Sequence, residues 1–149
     1  MFADDLVIDA THSLGSYHQV NLEEVLEFSR TWDPQYFHVD EELAVQSLFG
    51  GVVASGIHTM AIFQQLCVAA AYRHWAVIAG RSIDYVDLIA PVRPGDILTG
   101  SLTVSSVAPY RVDRANVTVH GSLSNQDANV VFRIGMLIIV ARRPTTPVP

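Results

Sequence analysis

The chain contains no lysine. All nine of its basic residues other than histidine are arginines, scattered from Arg30 to Arg143. This removes Schiff-base chemistry on a lysine amine, a lysine-closed phosphate loop and a lysine general base. It contains a single cysteine, Cys67, so an intrachain disulfide is impossible. A reducing compartment, and hence a cytoplasmic protein, is expected. Cys67 lies in an apolar run and reads as a small buried hydrophobe rather than a nucleophile. Basic residues are outnumbered by 15 Asp and Glu, for a formal charge of −6. A nucleic-acid binder should show the opposite balance, so no nucleic-acid partner is expected. Long apolar runs are also missing. Arg73 and His74 interrupt the longest candidate before it reaches the roughly 20 residues a membrane helix requires. The N-terminus carries Asp4, Asp5 and Asp9 without a basic region leading into an apolar core, so no secretory leader is expected.

What remains is a composition suited to one compact domain over residues 1–149. Half of the 149 residues are hydrophobic and 16% are charged. A chain of this length buries roughly 70% of its unfolded surface and needs no disulfide or metal to hold it. Residues 1–15 read as an irregular lead-in, and residues 144–149, with three prolines, as a loose tail. Tyr17 to Asn21 has the character of a short strand. Asn21 then caps a helix whose apolar stripe is Leu22, Val25, Leu26 and Phe28 and whose first turns are acidic. Pro34 ends that helix, because the residue before a proline is driven from the α region. Asp40 caps a short helix over 41–46. Ser55 offers its hydroxyl to a long helix expected over 56–78, apolar almost all round and therefore buried.

Beyond that helix the texture changes. Residues 83–89, 97–107, 115–123 and 130–141 are rich in β-branched side chains, punctuated by Pro91, Pro94-Gly95, Pro109 and Asn125-Gln126-Asp127. One buried helix followed by four strands predicts an α+β fold, a curved antiparallel sheet wrapped around a central helix. A single small sheet cannot cover an all-apolar helix, so a second subunit is expected to complete the burial.

Two stretches could carry chemistry. Asp33 and His38 are five positions apart across Pro34. On a helix they would diverge by about 140°, whereas on a turned loop both can face one water as a general acid/base pair. Trp32, Tyr36 and Phe37 would bury them. The competing reading is a helix-exit aspartate beside a satisfied core histidine. At Gly56 the first amides of the long helix have no intrahelical acceptor and sit at the positive end of its dipole, as donors to a developing oxyanion. Glycine there admits either a substrate or close helix–sheet packing. His58, in the same first turn, is expected to be neutral and bonded to loop carbonyls. Arg93 reads as an exposed turn residue. Arg111, Arg114, Arg142 and Arg143 could meet phosphates but more often are solvated charges. His38 and Asp40 lack a third metal ligand at a convincing spacing, so no metal is expected.

The run from Trp32 to Thr59 resembles the MaoC-like acyl dehydratases, relatives of the (R)-specific enoyl-CoA hydratases. The resemblance rests on Asp33…His38, Phe49-Gly50-Gly51 and the Ser55-Gly56 helix start, with support from Leu88 to Asp96. It implies a hot-dog fold, a homodimer or larger assembly, and addition or removal of water at a trans-2-enoyl thioester. CoA or an acyl-carrier protein would be the thioester's carrier, and no cofactor is implied. Carried over, Asp33 and His38 are the catalytic pair and the Gly56 N–H binds the thioester oxygen. Tyr36, Phe37, Phe49, Ser55 and His58 would line the substrate pocket. The sequence departs from the family motif at Gln35 and Tyr36, where Asn and Pro are usual, and at Ser55, where His is common. Tyr36 is large enough to narrow the pocket. Two other readings compete. A hot-dog thioesterase would place a carboxylate on or near the central helix, and residues 56–80 contain none. A non-catalytic acyl-binding subunit would have no need for the Asp33/His38 pair.

Overall fold

The computed structural model describes residues 1–144. The expected tail therefore lies almost wholly outside the described residues. Helix α1 (Leu22–Trp32) begins at Asn21, whose side chain accepts the Glu24 amide, and ends at Asp33 before Pro34. One-turn helix α2 (Tyr36–Val39) and short helix α3 (Glu41–Val45) follow, the latter capped by Asp40. The long helix α4 spans Gly56–Ala70. Its length corrects the expectation of 56–78. After Ala71 the chain makes a 3-10 turn, Tyr72–His74. Tyr72 and Trp75 are buried with their rings 5.6 Å apart. Packing of these two aromatics ends the helix where no glycine or proline marks a stop.

Six strands complete the chain: β1 (Thr11–Ser13), β2 (His18–Gln19), β3 (Val77–Leu88), β4 (Ile97–Arg111), β5 (Arg114–Ser124) and β6 (Val130–Ala141). All pairings are antiparallel, in the order β1-β4-β5-β6-β3, with β2 against the start of β4. The lead-in is thus not wholly irregular. It supplies β1 and buries Ala3, Leu6 and Leu14. Pro109 does not end its strand either. It pairs with Ala115 beside a register shift near the β4–β5 hairpin, where a bulge tolerates the missing donor. Three register shifts between β3 and β6 coil that side of the sheet.

Strands β4 to β6 turn alternate residues inward. Leu98, Leu102, Val104, Val117, Val119, Leu123, Phe132 and Ile134 form a core with Ile62, Phe63, Leu66 and Cys67 of α4. Phe63 sits directly on Gly121, where an added Cβ would come within 2.0 Å of Cζ. Phe63 also packs on Phe132 at 5.5 Å.

The helix is not buried all round. Its outer face, with Ile57, Ala61, Gln64, Gln65 and Val68, is exposed in the single chain and carries two glutamines. Strand β3 beside it is exposed along nearly its whole length, including Ile83, Val86 and Leu88. Ion pairs Arg142–Asp4 and Arg143–Asp5 tie the end of β6 to the start of the chain, and Arg114 pairs with Asp113.

Candidate active site

The acid/base pair rests on two elements rather than one loop. Asp33 is the C-cap of α1, its backbone outside the α region, as the residue before a proline must be. His38 rides on the single turn of α2 and is buried. Their side chains converge, with His38 Nε2 3.5 Å from Asp33 Oδ2. His38 Nδ1 lies 2.6 Å from the Val53 carbonyl oxygen. A carbonyl can only accept, so Nδ1 carries the proton. In a neutral ring so bonded, the Nε2 lone pair faces Asp33 and the cavity.

Both oxygens of Asp33 are held. The Ser55 hydroxyl donates to Oδ2 at 2.6 Å, and the Gln35 amide donates to Oδ1 at 3.0 Å. These two hydrogen bonds, Ser55 first and Gln35 second, hold the carboxyl below its ordinary range. Partial burial opposes them and His38 adds a smaller favourable effect. Asp33 is therefore an anion at neutral pH.

Ser55 also caps α4, its Oγ accepting the Ile57 amide at 3.2 Å. Gly56 is the first residue of that helix, and its amide falls in the turn without intrahelical acceptors. Leu88 of β3 lies against Gly56, where a Cβ would approach Leu88 Cδ1 to 2.4 Å. Any larger residue there would push the exposed Leu88 side chain aside, so close helix–sheet packing favours this glycine.

Asp33, His38 and Gly56 share one cavity of about 350 Å³ with Gln35, Phe37 and Phe49. Thr59, Val53 and Ala54 complete the near wall, and Leu88 through Val92 with Val131 form the far, apolar wall. The Phe49–Ala54 loop is held by the β3–β4 connection. Arg93 Nη2 donates to the Phe49 carbonyl at 2.6 Å, and the Ala54 amide donates to Val92 O at 2.8 Å. Arg93 is thus a tie between loops as well as an exposed turn residue.

Three expected pocket residues lie elsewhere. Tyr36 is 49% exposed and packs edge-on against Phe37, away from the cavity wall, so it does not narrow the site. Ser55 is fully buried behind Asp33 rather than on the wall. His58 bonds no loop carbonyl. It stacks on Phe28 with ring centroids 4.6 Å apart, Nε2 3.8 Å from Glu24 Oε1 and Nδ1 without a partner. Burial lowers its pKa, with Glu24 opposing, in keeping with a neutral ring. Trp32 is 68% exposed and shields nothing at Asp33. The Val53 carbonyl had no signal in the sequence, since any residue supplies one. Gln35 stood out only as a motif departure.

Cys67 is buried and its thiol is pushed up to about 12, which leaves it inert. Among the described residues no set of three His, Cys, Asp or Glu side chains converges as metal ligands, and no helix is long and apolar enough to cross a membrane.

A curved antiparallel sheet wrapped around one helix defines a hot-dog domain, here with a carboxylate and an imidazole at that helix's N-terminal opening. The family described as MaoC-like domain matches residues 9–126, and the chain belongs to the MaoC-like dehydratases. A MaoC-like dehydratase from Rhodospirillum rubrum is 38% identical, with a TM-score of 0.89 over 97% of this chain and 99% of its own. Bacillus subtilis YdeM is 34% identical over 124 residues, 83% of this chain and 88% of its own length. The R-hydratase PhaJ1 of Pseudomonas aeruginosa has the same fold at 18% identity, with a TM-score of 0.77 over 99% of this chain and 93% of its own.

Proposed function

We propose that this protein adds water to, or removes it from, a trans-2-enoyl thioester, with Asp33 and His38 as the catalytic pair. The observation that carries the reading is the 3.5 Å approach of His38 Nε2 to Asp33 Oδ2 on a cavity wall that also holds the head of α4. In the hydration direction a water sits against both side chains. His38 Nε2 takes one of its protons as the water oxygen bonds to C3 of the enoyl group. The C2–C3 π electrons shift toward the thioester carbonyl, whose oxygen gains charge and is met by the Gly56 N–H. The Asp33 anion stabilises the imidazolium. The proton then passes to C2, which restores the carbonyl and leaves a 3-hydroxyacyl thioester with all atoms accounted for. Dehydration is the reverse. The chemistry asks for no cofactor.

The acyl group enters against Phe37, Phe49 and the Leu88–Val92 wall, and CoA or an acyl-carrier protein is its carrier. The working form is a homodimer or larger assembly, because Ile57, Val68, Ile83 and Val86 form an uncovered apolar face. A cytoplasmic setting fits the lone buried thiol.

The experiment is a spectrophotometric assay with crotonyl-CoA and a longer trans-2-enoyl-CoA. Loss of the enoyl absorbance is expected. It should be abolished in Asp33→Asn and reduced on the order of 10²-fold or more in His38→Ala. Wild-type turnover by Asp33→Asn would remove its assigned role. Release of free CoA would establish the thioesterase reading instead.

A further inference from the structure

Gln35 occupies a position its local structure does not favour. It is the N-cap of α2, where Ser, Thr, Asp or Asn would satisfy a free amide of the first turn. Its side chain makes no capping bond. It reaches back instead, and its amide donates to Asp33 Oδ1 at 3.0 Å. Its backbone is tied to both members of the pair. The Gln35 amide donates to the Asp33 carbonyl at 2.8 Å, and the Gln35 carbonyl accepts the His38 amide at 2.8 Å. The side chain also borders the cavity.

A carboxylate held through one oxygen can still pivot about that contact. Ser55 alone would hold Oδ2 and leave the carboxylate plane free to turn. A second donor on the other oxygen fixes the plane. We propose that Gln35 is a positioning residue, whose side-chain amide locks Asp33 Oδ1 and so aims Oδ2 at His38 Nε2 and the water the two share. This inference rests on the hydratase reading of the site.

The groups facing Asp33 are few. His38 on α2 is the basic side chain in ion-pair contact with it. Ser55 at the head of α4 is neutral. The opposite wall, Leu88 to Val92 with Val131, brings no titratable side chain. A change at the Gln35 side chain therefore reaches the site through Asp33.

The test compares wild type, Gln35→Ala and Gln35→Glu. The glutamate variant has the same shape and reach, but replaces the donor with an anion. Asp33 is titrated directly by its side-chain 13C carboxyl resonance, assigned by its loss in Asp33→Asn. In parallel, kcat/KM for crotonyl-CoA is followed against pH. Asp33 should titrate lowest in wild type, higher in Gln35→Ala and highest in Gln35→Glu. At neutral pH, where Asp33 is ionised in wild type and the alanine variant alike, the alanine variant should lose on the order of tenfold in kcat/KM, the size of one hydrogen bond to a charged group. KM should change less than threefold. Asp33 titrating at the same pH in all three proteins would overturn the proposal. So would a glutamate variant that matches wild type, which would mean that Gln35 merely fills space. If the wild-type protein hydrates no enoyl thioester, the functional reading fails, yet the carboxyl titration still decides the role of Gln35.

Discussion

The Ser55 hydroxyl donates to Asp33 Oδ2 at 2.6 Å while its oxygen accepts the Ile57 amide at 3.2 Å. One buried side chain thus caps the central helix and holds the carboxylate of the site. Ser55→Ala should lose both functions at once. The missing cap costs about 1 kcal/mol of stability, readable in urea unfolding. Asp33 loses its strongest donor, so its pKa rises, which its side-chain 13C carboxyl resonance reads directly. Unchanged stability with an unmoved Asp33 titration would contradict this double role.

His58 should make the fold sensitive to mild acid. Burial lowers its pKa in the folded state below the 6.5 of the free side chain. Between the folded value and 6.5 the unfolded chain binds a proton that the folded chain does not, so stability rises with pH across that window. It is complete above about pH 7 and falls on acidification through 6.5 toward the folded pKa. Urea unfolding at pH 7.5 and 5.5 should show this loss in wild type. His58→Leu, which keeps a side chain against Phe28, should show a smaller one. Equal losses in the two proteins would place the acid sensitivity elsewhere.

Gly121→Ala should destabilise the fold by about 1–3 kcal/mol, the usual result of forcing an extra methyl into a packed core. The new Cβ would meet the Phe63 ring at 2.0 Å, and that ring is fully buried. The companion change Phe63→Leu in the same chain should recover part of the loss by shortening the side chain that stands on residue 121. Thermal unfolding of the single and double variants checks both, and a double variant less stable than Gly121→Ala would refute the pairing.

Sedimentation velocity at micromolar concentration should show at least twice the chain mass. Ile83 is 52% exposed on β3, beside the uncovered face of α4. Ile83→Asp should shift the distribution toward the single chain. A wild-type protein that sediments as a monomer would rule out the dimer.

Much of this architecture was legible in the sequence. Asn21, Pro34, Asp40 and Ser55 each mark a helix boundary by a local rule, and each stands at that boundary. The four long strands followed from β-branched content and turn residues. The end of α4 was not legible, because it depends on Tyr72 and Trp75 finding room in the core. The exposed face of the helix was hidden by Ile57 and Val68, which read as buried yet face outward in the single chain. At the site, the spacing of Asp33 and His38 suggested a shared target, but nothing in it foretold that the Val53 carbonyl sets the tautomer of His38. Tyr36 and Trp32 stand close to the pair in sequence, but in the fold both side chains are exposed.

The seat of Phe63 on Gly121 reaches further than the core it fills. A ring lodged against bare backbone keys the helix lengthwise to the middle of the sheet, much as a pin sets a shaft. A slip of one turn would carry the Gly56 amide about 5.4 Å along the axis, whereas a hydrogen bond tolerates only a few tenths of an ångström. The centre of the sheet is therefore the datum from which the reactive end of the helix is placed. Substitutions along the outer face of α4 can accumulate without shifting that alignment, so long as this one seat is kept.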